Sequence, residues 1–261
     1  MNRRWAGAAV AAGVLALCVV AGPALAPHDA AVPVGPPYRG PSGAHWLGTD
    51  HLGRDVASRL LQGARPLVLT SLAGALLGTL AGAGLGLAAA VSRRRWLAAA
   101  LTRPLDALAA VPAVVLMLLV LAAWPHRAGL ILAVALAALP LTARLAAAAG
   151  AQVAGRGHVE VAVARGEKWP WLIGRELLPL VGGVLLADAG IRFVGAVYLV
   201  AAAGFLGVGT AGPDWGSLIV EALPGAPLQP WALLAPVLAI AVLAVGVNLL
   251  ADRAQRPRGA R

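Results

Sequence analysis

Asp188 and Arg192 stand four residues apart within an otherwise apolar run, LLADAGIRFVG, and this spacing sets a carboxylate and a guanidinium on one helix face. Each charge alone near a bilayer centre costs roughly 2.5 to 3.5 kcal/mol, so the two are expected to pair or to face a wet cavity. Two readings stay open: a polar lining of a path through the membrane, or an internal salt bridge that only locks the helix. Asp50, Arg54 and Asp55 offer a second charged group, able to gate an outer mouth or to pair locally, and local pairing that holds an interfacial helix is the preferred reading. The histidines His28, His45, His51 and His126 show no His-x-x-x-His or carboxylate spacing, so no metal ligand is expected among them, and His158 reads as a helix-start residue. The only lysine is Lys168 and no G-x-x-x-x-G-K-[ST] loop occurs, so no phosphate chemistry and no catalytic residue is expected on this chain, which does not read as an enzyme.

The elements that must hold these residues are helices in lipid. Of 261 residues 60% are apolar and 12% charged, too little polar surface to cover an ordinary soluble domain. Six stretches are long and apolar enough to cross a core of about 30 Å: 6–26, 67–91, 105–124, 128–149, 180–206 and 231–251. The run 6–26, although preceded by Arg3 and Arg4 and ending Ala24-Leu25-Ala26, is read as an uncleaved span because Pro27 follows. The expected organisation is a first span over 1–26, a proline-rich external connector and interfacial segment over 27–66, a membrane core over 67–251 containing a loop at 150–179, and a basic tail over 252–261. Cys18 is the single cysteine and excludes an internal disulfide.

Net charge is +10, from 20 arginines and one lysine that punctuate the apolar runs rather than forming one basic face, so a nucleic-acid partner is not expected. With both termini cytoplasmic, Arg3, Arg4, Arg93, Arg94, Arg95, Arg103, Arg144, Arg156, Arg165, Lys168, Arg175, Arg253, Arg256, Arg258 and Arg261 lie inside. Only Arg39, Arg54, Arg59, Arg65 and Arg127 lie outside, and fifteen against five sets the orientation under the positive-inside rule. Gly74, Gly78, Gly82 and Gly86 recur every four residues, a stripe that admits another helix at close range. Trp46, Trp215 and Trp231 fall near span boundaries and are expected in the headgroup belt.

The inward loop reads as a short helix from His158 to Arg165, a stop at Gly166, and a second helix from Pro170 that Pro179 separates from the fifth span. Glu160, Ala162, Ala164 and Gly166, followed by Leu177, Leu178 and Pro179, resemble the E-A-A loop of binding-protein-dependent ABC importers. The segment HWLGTDHLGRDVASRLLQGAR, 45–65, resembles the stretch before the second span in C-type permeases of dipeptide, oligopeptide and nickel importers. Ala110-Val111-Pro112, Leu139-Pro140, Ala143-Arg144-Leu145, GFLGVG with Asp214-Trp215-Gly216, and Asn248, Leu249, Leu250 and Asp252 extend the resemblance over 45–256. Asp188 and Arg192 depart from it, standing where an amide and a small residue are common.

The resemblance implies an all-α, polytopic, type I importer permease of six transmembrane helices in the bacterial inner membrane. It implies a second permease, expected to be a different chain, two cytoplasmic ATPases that carry ATP and magnesium, and an external substrate-binding protein; no cofactor is implied on this chain. Glu160, Ala162, Ala164, Gly166, Leu178 and Pro179 would couple to the ATPases. Peptides are the default cargo. Nickel or another metal complex, or a scaffold role without transport, are the alternatives.

Overall fold

The computed structural model describes residues 21–22, 24–92, 94–208 and 212–255; for Arg95, Glu160, Val163 and 252–255 the description stops at the backbone. Most of the expected first span, with Arg3, Arg4 and Cys18, therefore lies outside the described residues, as do Arg93, Gly209 and the tail arginines Arg256, Arg258 and Arg261. No strand occurs among the described residues, and one antiparallel bridge pairs Thr49 with Asp55.

Helix α1 runs Val56–Val91. Asp55 starts it, its carboxylate accepting from the Ser58 backbone N–H. The helix therefore begins inside the segment expected to be connector up to residue 66, and it passes through Pro66 without ending. Neighbouring helices can satisfy the carbonyl that a proline frees. Its 36 residues reach about 54 Å at 1.5 Å per residue, so it joins the two ends of the molecule.

The expected third span, 105–124, is not one helix. Helix α2, Arg95–Ala109, and helix α3, Ala113–Ala123, meet at 93°. Pro112, at ψ 132°, leaves helical geometry and disfavours it for Val111, which breaks the rod. With 11 residues α3 reaches only about 16 Å, about half of a bilayer core.

Helix α4 is Arg127–Ala154 and the short helix α5 is Gly157–Ala164. Helix α6 is continuous over Trp169–Phe205, with a π-helical turn at Leu172–Leu177. Pro179 was expected to separate two helices, yet the rod continues through it. The wider turn just before it changes the hydrogen-bond register where the proline ring would crowd the preceding carbonyl. Helix α7 is Trp215–Ala222, and helix α8 is Pro230–Gln255.

Four of these helices, over 56–91, 127–154, 169–205 and 230–251, are long and apolar enough to cross a membrane, and the bent α2–α3 pair makes a fifth candidate. The core among them is apolar: Leu67 of α1, Met117 of α3, Val134 of α4 and Val197 of α6 are fully buried around a shared centre. The outer faces are apolar too, with Leu234, Val237, Leu238, Val242 and Val245 of α8 all exposed. Apolar residues on both sides of a helix are what a lipid solvent selects.

The glycine stripe of α1 lies against α4. A Cβ at Gly74 would stand 2.6 Å from Val134, one at Gly78 2.5 Å from the Ala135 carbonyl oxygen, and one at Gly82 2.5 Å from the Leu139 carbonyl oxygen; at Gly86 it would strike the Ala143 carbonyl. Close backbone approach of this kind replaces the hydrophobic drive that is missing between helices in lipid.

Candidate translocation path and coupling segment

Asp188 and Arg192 are paired in the middle of α6. Arg192 donates from Nε and Nη2 to Asp188 Oδ1 at 3.0 and 2.9 Å, the fit expected of residues one turn apart. The other carboxylate oxygen, Oδ2, accepts from the Thr142 hydroxyl of α4 at 2.6 Å. Thr142 is fully buried and Asp188 is 5% exposed, whereas the Arg192 side chain is 22% exposed and reaches a cavity. That cavity, of about 400 Å³, is walled by Val114 of α3, Val134 and Leu141 of α4, and Tyr198 and Leu199 of α6. Arg192 is the charged residue on this wall among the described residues. The arrangement places a guanidinium at the rim of an apolar chamber, with its charge balanced from behind by Asp188.

At one end of α1 lies the segment 155–179. Gly166 takes φ +84°, with nothing within 4 Å of where a Cβ would stand, and the Glu167 N–H closes α5 onto the Ala162 carbonyl at 3.3 Å. This is a glycine-stopped helix end in which the left-handed residue lets the chain reverse. Val159 and Leu177 are buried against Leu87 of α1, Val153 of α4 and Val181 of α6, and Ala162 is buried as well. Ala164, Gly166, Leu178 and Pro179 are exposed, and Glu160 lies within α5 with its side chain outside the description. The expected set thus divides into a buried foot and an outward face, with Leu177, not Leu178, doing the packing.

At the opposite end of α1 the motif of 45–65 builds a charged network. Arg54 Nε and Arg59 Nη1 both donate to Asp50 Oδ2, at 2.8 and 2.7 Å. Arg54 Nη2 and Arg59 Nη1 also donate to Glu221 Oε2 of α7, at 2.7 and 2.8 Å. Burial would raise the Asp50 carboxyl, but the backbone N–H groups of Arg54 and Leu52 and the Arg54 guanidinium outweigh it and hold it below its ordinary value. Glu221, also raised by burial, is held low by Arg59 and then Arg54. Asp55 belongs to a separate contact, with His45 Nδ1 at 3.1 Å and Ser58 at 2.7 Å. The network pins the head of α1 to α7, as local pairing would, but through Glu221, for which the sequence offered no local signal.

Asp214 caps α7, accepting from the Gly216 and Ser217 N–H groups at 2.8 and 3.0 Å. Burial pushes its carboxyl up against the pull of those two donors. A Cβ at Gly204 would collide with the Asp214 carboxylate and one at Gly216 with the Ala201 carbonyl, so Gly204 of GFLGVG and Gly216 of Asp-Trp-Gly are where α6 and α7 touch. Trp215 is not a belt residue: it is 2% exposed, and its Nε1 donates to the Leu60 carbonyl at 2.9 Å. Trp46 and Trp231 are exposed.

Residues 82–257 match the family described as binding-protein-dependent transport system inner membrane component. This chain belongs to that family of ABC importer permeases. A Brucella suis protein named as a peptide transport system permease is 34% identical over 247 residues, covering 92% of this chain and 83% of its own. The dipeptide transport system permease DppC of Alkalihalophilus pseudofirmus is 29% identical over 82% of this chain and 71% of its own. The glutathione transport system permease GsiD of Pectobacterium atrosepticum is 32% identical over 82% and 71%. Among solved structures, a chain of the MetNI methionine ABC transporter superposes with a TM-score of 0.60, 16% identity, and coverage of 76% of this chain and 97% of that one. The permease is therefore an all-α, multi-pass inner-membrane protein with the importer fold.

Proposed function

We propose that this permease forms one half of the translocation path of an ATP-driven peptide importer. The observation that carries the reading is the match across 82–257 to importer permeases, joined to relatives along most of the chain that are named for peptide, dipeptide and glutathione transport. A second permease, expected to be a different chain, completes the path. Two ATPase subunits, holding ATP and magnesium, drive it from the cytoplasmic side, where both termini lie. An external binding protein delivers the cargo.

The face of 155–179 that exposes Ala164, Gly166, Leu178 and Pro179 is the surface an ATPase would grip, and the resemblance to the E-A-A loop adds Glu160 as a coupling residue. The segment's buried foot, in which Val159 and Leu177 pack on α1, α4 and α6, transmits the displacement into those helices. Because α6 is one rod from Trp169 to Phe205, movement of that foot also moves Asp188 and Arg192. Alternating access follows when the two permeases rock against each other as the ATPases close and reset. Arg192, at the rim of the chamber, offers a cation to the terminal carboxylate of a passing peptide.

The test is copurification and uptake. The parent, expressed with its neighbouring subunits, should bring down a second permease and an ATPase and should take up labelled dipeptide into vesicles in an ATP-dependent manner. Gly166→Leu should cost about 1 to 2 kcal/mol of local backbone strain, leave insertion intact, and reduce both ATPase recovery and uptake. Full uptake in that variant would refute the coupling role. A complex that hydrolyses ATP but carries nickel complexes and no peptide would overturn the cargo, and a chain that purifies with no ATPase would leave only a scaffold.

A further inference from the structure

His28, His45 and Asp55 come from the connector and the head of α1, and their ligand atoms all lie within 4.8 Å of one another. His45 Nδ1 stands 3.1 Å from Asp55 Oδ1, and His28 Nδ1 stands 4.0 Å from Asp55 Oδ2. The two imidazole rings are 5.3 Å apart between centroids and inclined at 41°, so they converge on the carboxylate without stacking. Metal–ligand bonds of about 2.0 to 2.2 Å in a tetrahedral shell put neighbouring donors about 3.3 to 3.5 Å apart. The observed spacing brackets that value.

The surroundings hold the three donors as a site requires. Ser58 donates from its backbone N–H and its hydroxyl to Asp55 Oδ2, at 2.8 and 2.7 Å, which fixes the carboxylate with Oδ1 towards His45 and Oδ2 on the side of His28. The same hydroxyl accepts the His28 backbone N–H at 3.1 Å, and Gln62 donates to the His28 carbonyl at 3.4 Å. One serine thus orients one ligand directly and tethers the main chain of another, the outer-shell role that metal centres use. Despite this anchoring, His28 Nδ1 is buried with no hydrogen-bond partner. A buried acceptor or donor left unpaired is costly, and a cation at the centre of the triad would resolve it.

The geometry points to a divalent transition-metal site, of the zinc class, formed by His28, His45 and Asp55, which staples the connector to the head of α1. Two imidazoles and one carboxylate suit zinc and its neighbours rather than magnesium or calcium, which prefer all-oxygen shells. Three protein ligands leave a position for water, and the His28 side chain, 31% exposed, opens the site to solvent. The neighbouring triad of Asp50, His51 and Glu221 is equally close-set, but Arg54 and Arg59 already occupy its carboxylates, and two guanidinium charges repel a cation. The site is independent of the cargo and of the coupling segment, since it lies at the other end of α1.

The test uses the full chain in lipid nanodiscs with the subunits that copurify. After stripping with chelator, it is equilibrated with micromolar zinc, and bound metal is counted by atomic absorption. His28→Gln keeps the His45–Asp55 contact and the helix cap, so it should unfold at the parent temperature in chelator. The parent should hold one more zinc per chain than His28→Gln, whose affinity at this site should fall at least about tenfold. Zinc should raise the parent's unfolding temperature and leave that of the variant unmoved. His28→Cys, which supplies a thiolate, should restore binding, and with cobalt it should show the intense visible absorption of a tetrahedral centre. Equal zinc content in parent and His28→Gln overturns the site, as does equal protection of the parent by magnesium. If His28→Gln does not accumulate, the cobalt spectrum of the parent decides, and an octahedral spectrum, or none, overturns it.

Discussion

Replacing Asp188 strips Arg192 of its only carboxylate among the described residues, and the structure ranks the consequences. Breaking a buried pair by removing one partner costs about 3 to 5 kcal/mol, because the remaining charge stays desolvated. Asp188→Asn should sit near the lower figure, since Arg192 is 22% exposed and can turn into the chamber while the asparagine keeps the Thr142 bond. Arg192→Leu should cost more, near the upper figure, because it leaves a carboxylate that is 5% exposed and held by one hydroxyl. Thr142→Val removes a hydrogen bond to a charged group, worth about 1.5 to 3 kcal/mol. The double variant Asp188→Asn with Arg192→Leu removes both charges, keeps the Thr142 contact, and should recover most of the loss, giving a coupling energy of several kcal/mol, above the range of about 0.5 to 3 kcal/mol usual for neighbours. The assay is denaturant unfolding in mixed micelles, followed by tryptophan fluorescence, with peptide uptake measured on the same proteins. Single variants as stable as the parent, or losses that simply add, would refute the pairing argument. A stable double variant with normal uptake would assign the pair to helix locking, and one that has lost uptake would assign it to the path.

The glycine stripe predicts a contrast within one helix: Gly82→Ala should lose about 1 to 3 kcal/mol against the Leu139 carbonyl, whereas Gly84→Ala, with nothing within 4 Å, should gain up to about 1 kcal/mol, both read by unfolding. Asp50 and Glu221 are held below their ordinary values of 3.8 and 4.5, so the stability they contribute is complete above those values and is lost as the pH falls through the depressed ones. Glu221→Gln should therefore be less stable than the parent at neutral pH, and the difference in unfolding temperature between the two should hold down to the ordinary carboxylate range and shrink below it. Trp215→Phe should lose about 1 kcal/mol with the Leu60 bond, and tryptophan emission should shift to longer wavelength as the buried indole is removed.

What could be read from the sequence is what a single helix settles for itself. Apolar runs long enough for a bilayer mark α1, α4, α6 and α8, because each spanning helix satisfies its own backbone bonds. The four-residue spacing of Asp188 and Arg192 and of the α1 glycines is likewise internal to one helix, and Gly166 needs only its own φ to end α5. The break at Pro112 was present in the sequence, but a proline can bend, start or merely cross a helix, as Pro66 and Pro140 do, and packing selects among these. Partners were decided by the tertiary structure alone: Thr142 for Asp188 across 46 positions, Glu221 for Arg54 across 167, and α4 for the glycine stripe. Trp215 illustrates the same division, since a tryptophan near a span boundary fits the headgroup belt until α1 folds over it and its N–H finds the Leu60 carbonyl. His28 and Asp55 meet only because Ser58 ties the connector back onto the helix it caps. Periodicity along one helix is a local property that composition and spacing record, whereas which faces meet depends on the free energy of the whole packed bundle, and no single segment carries that information.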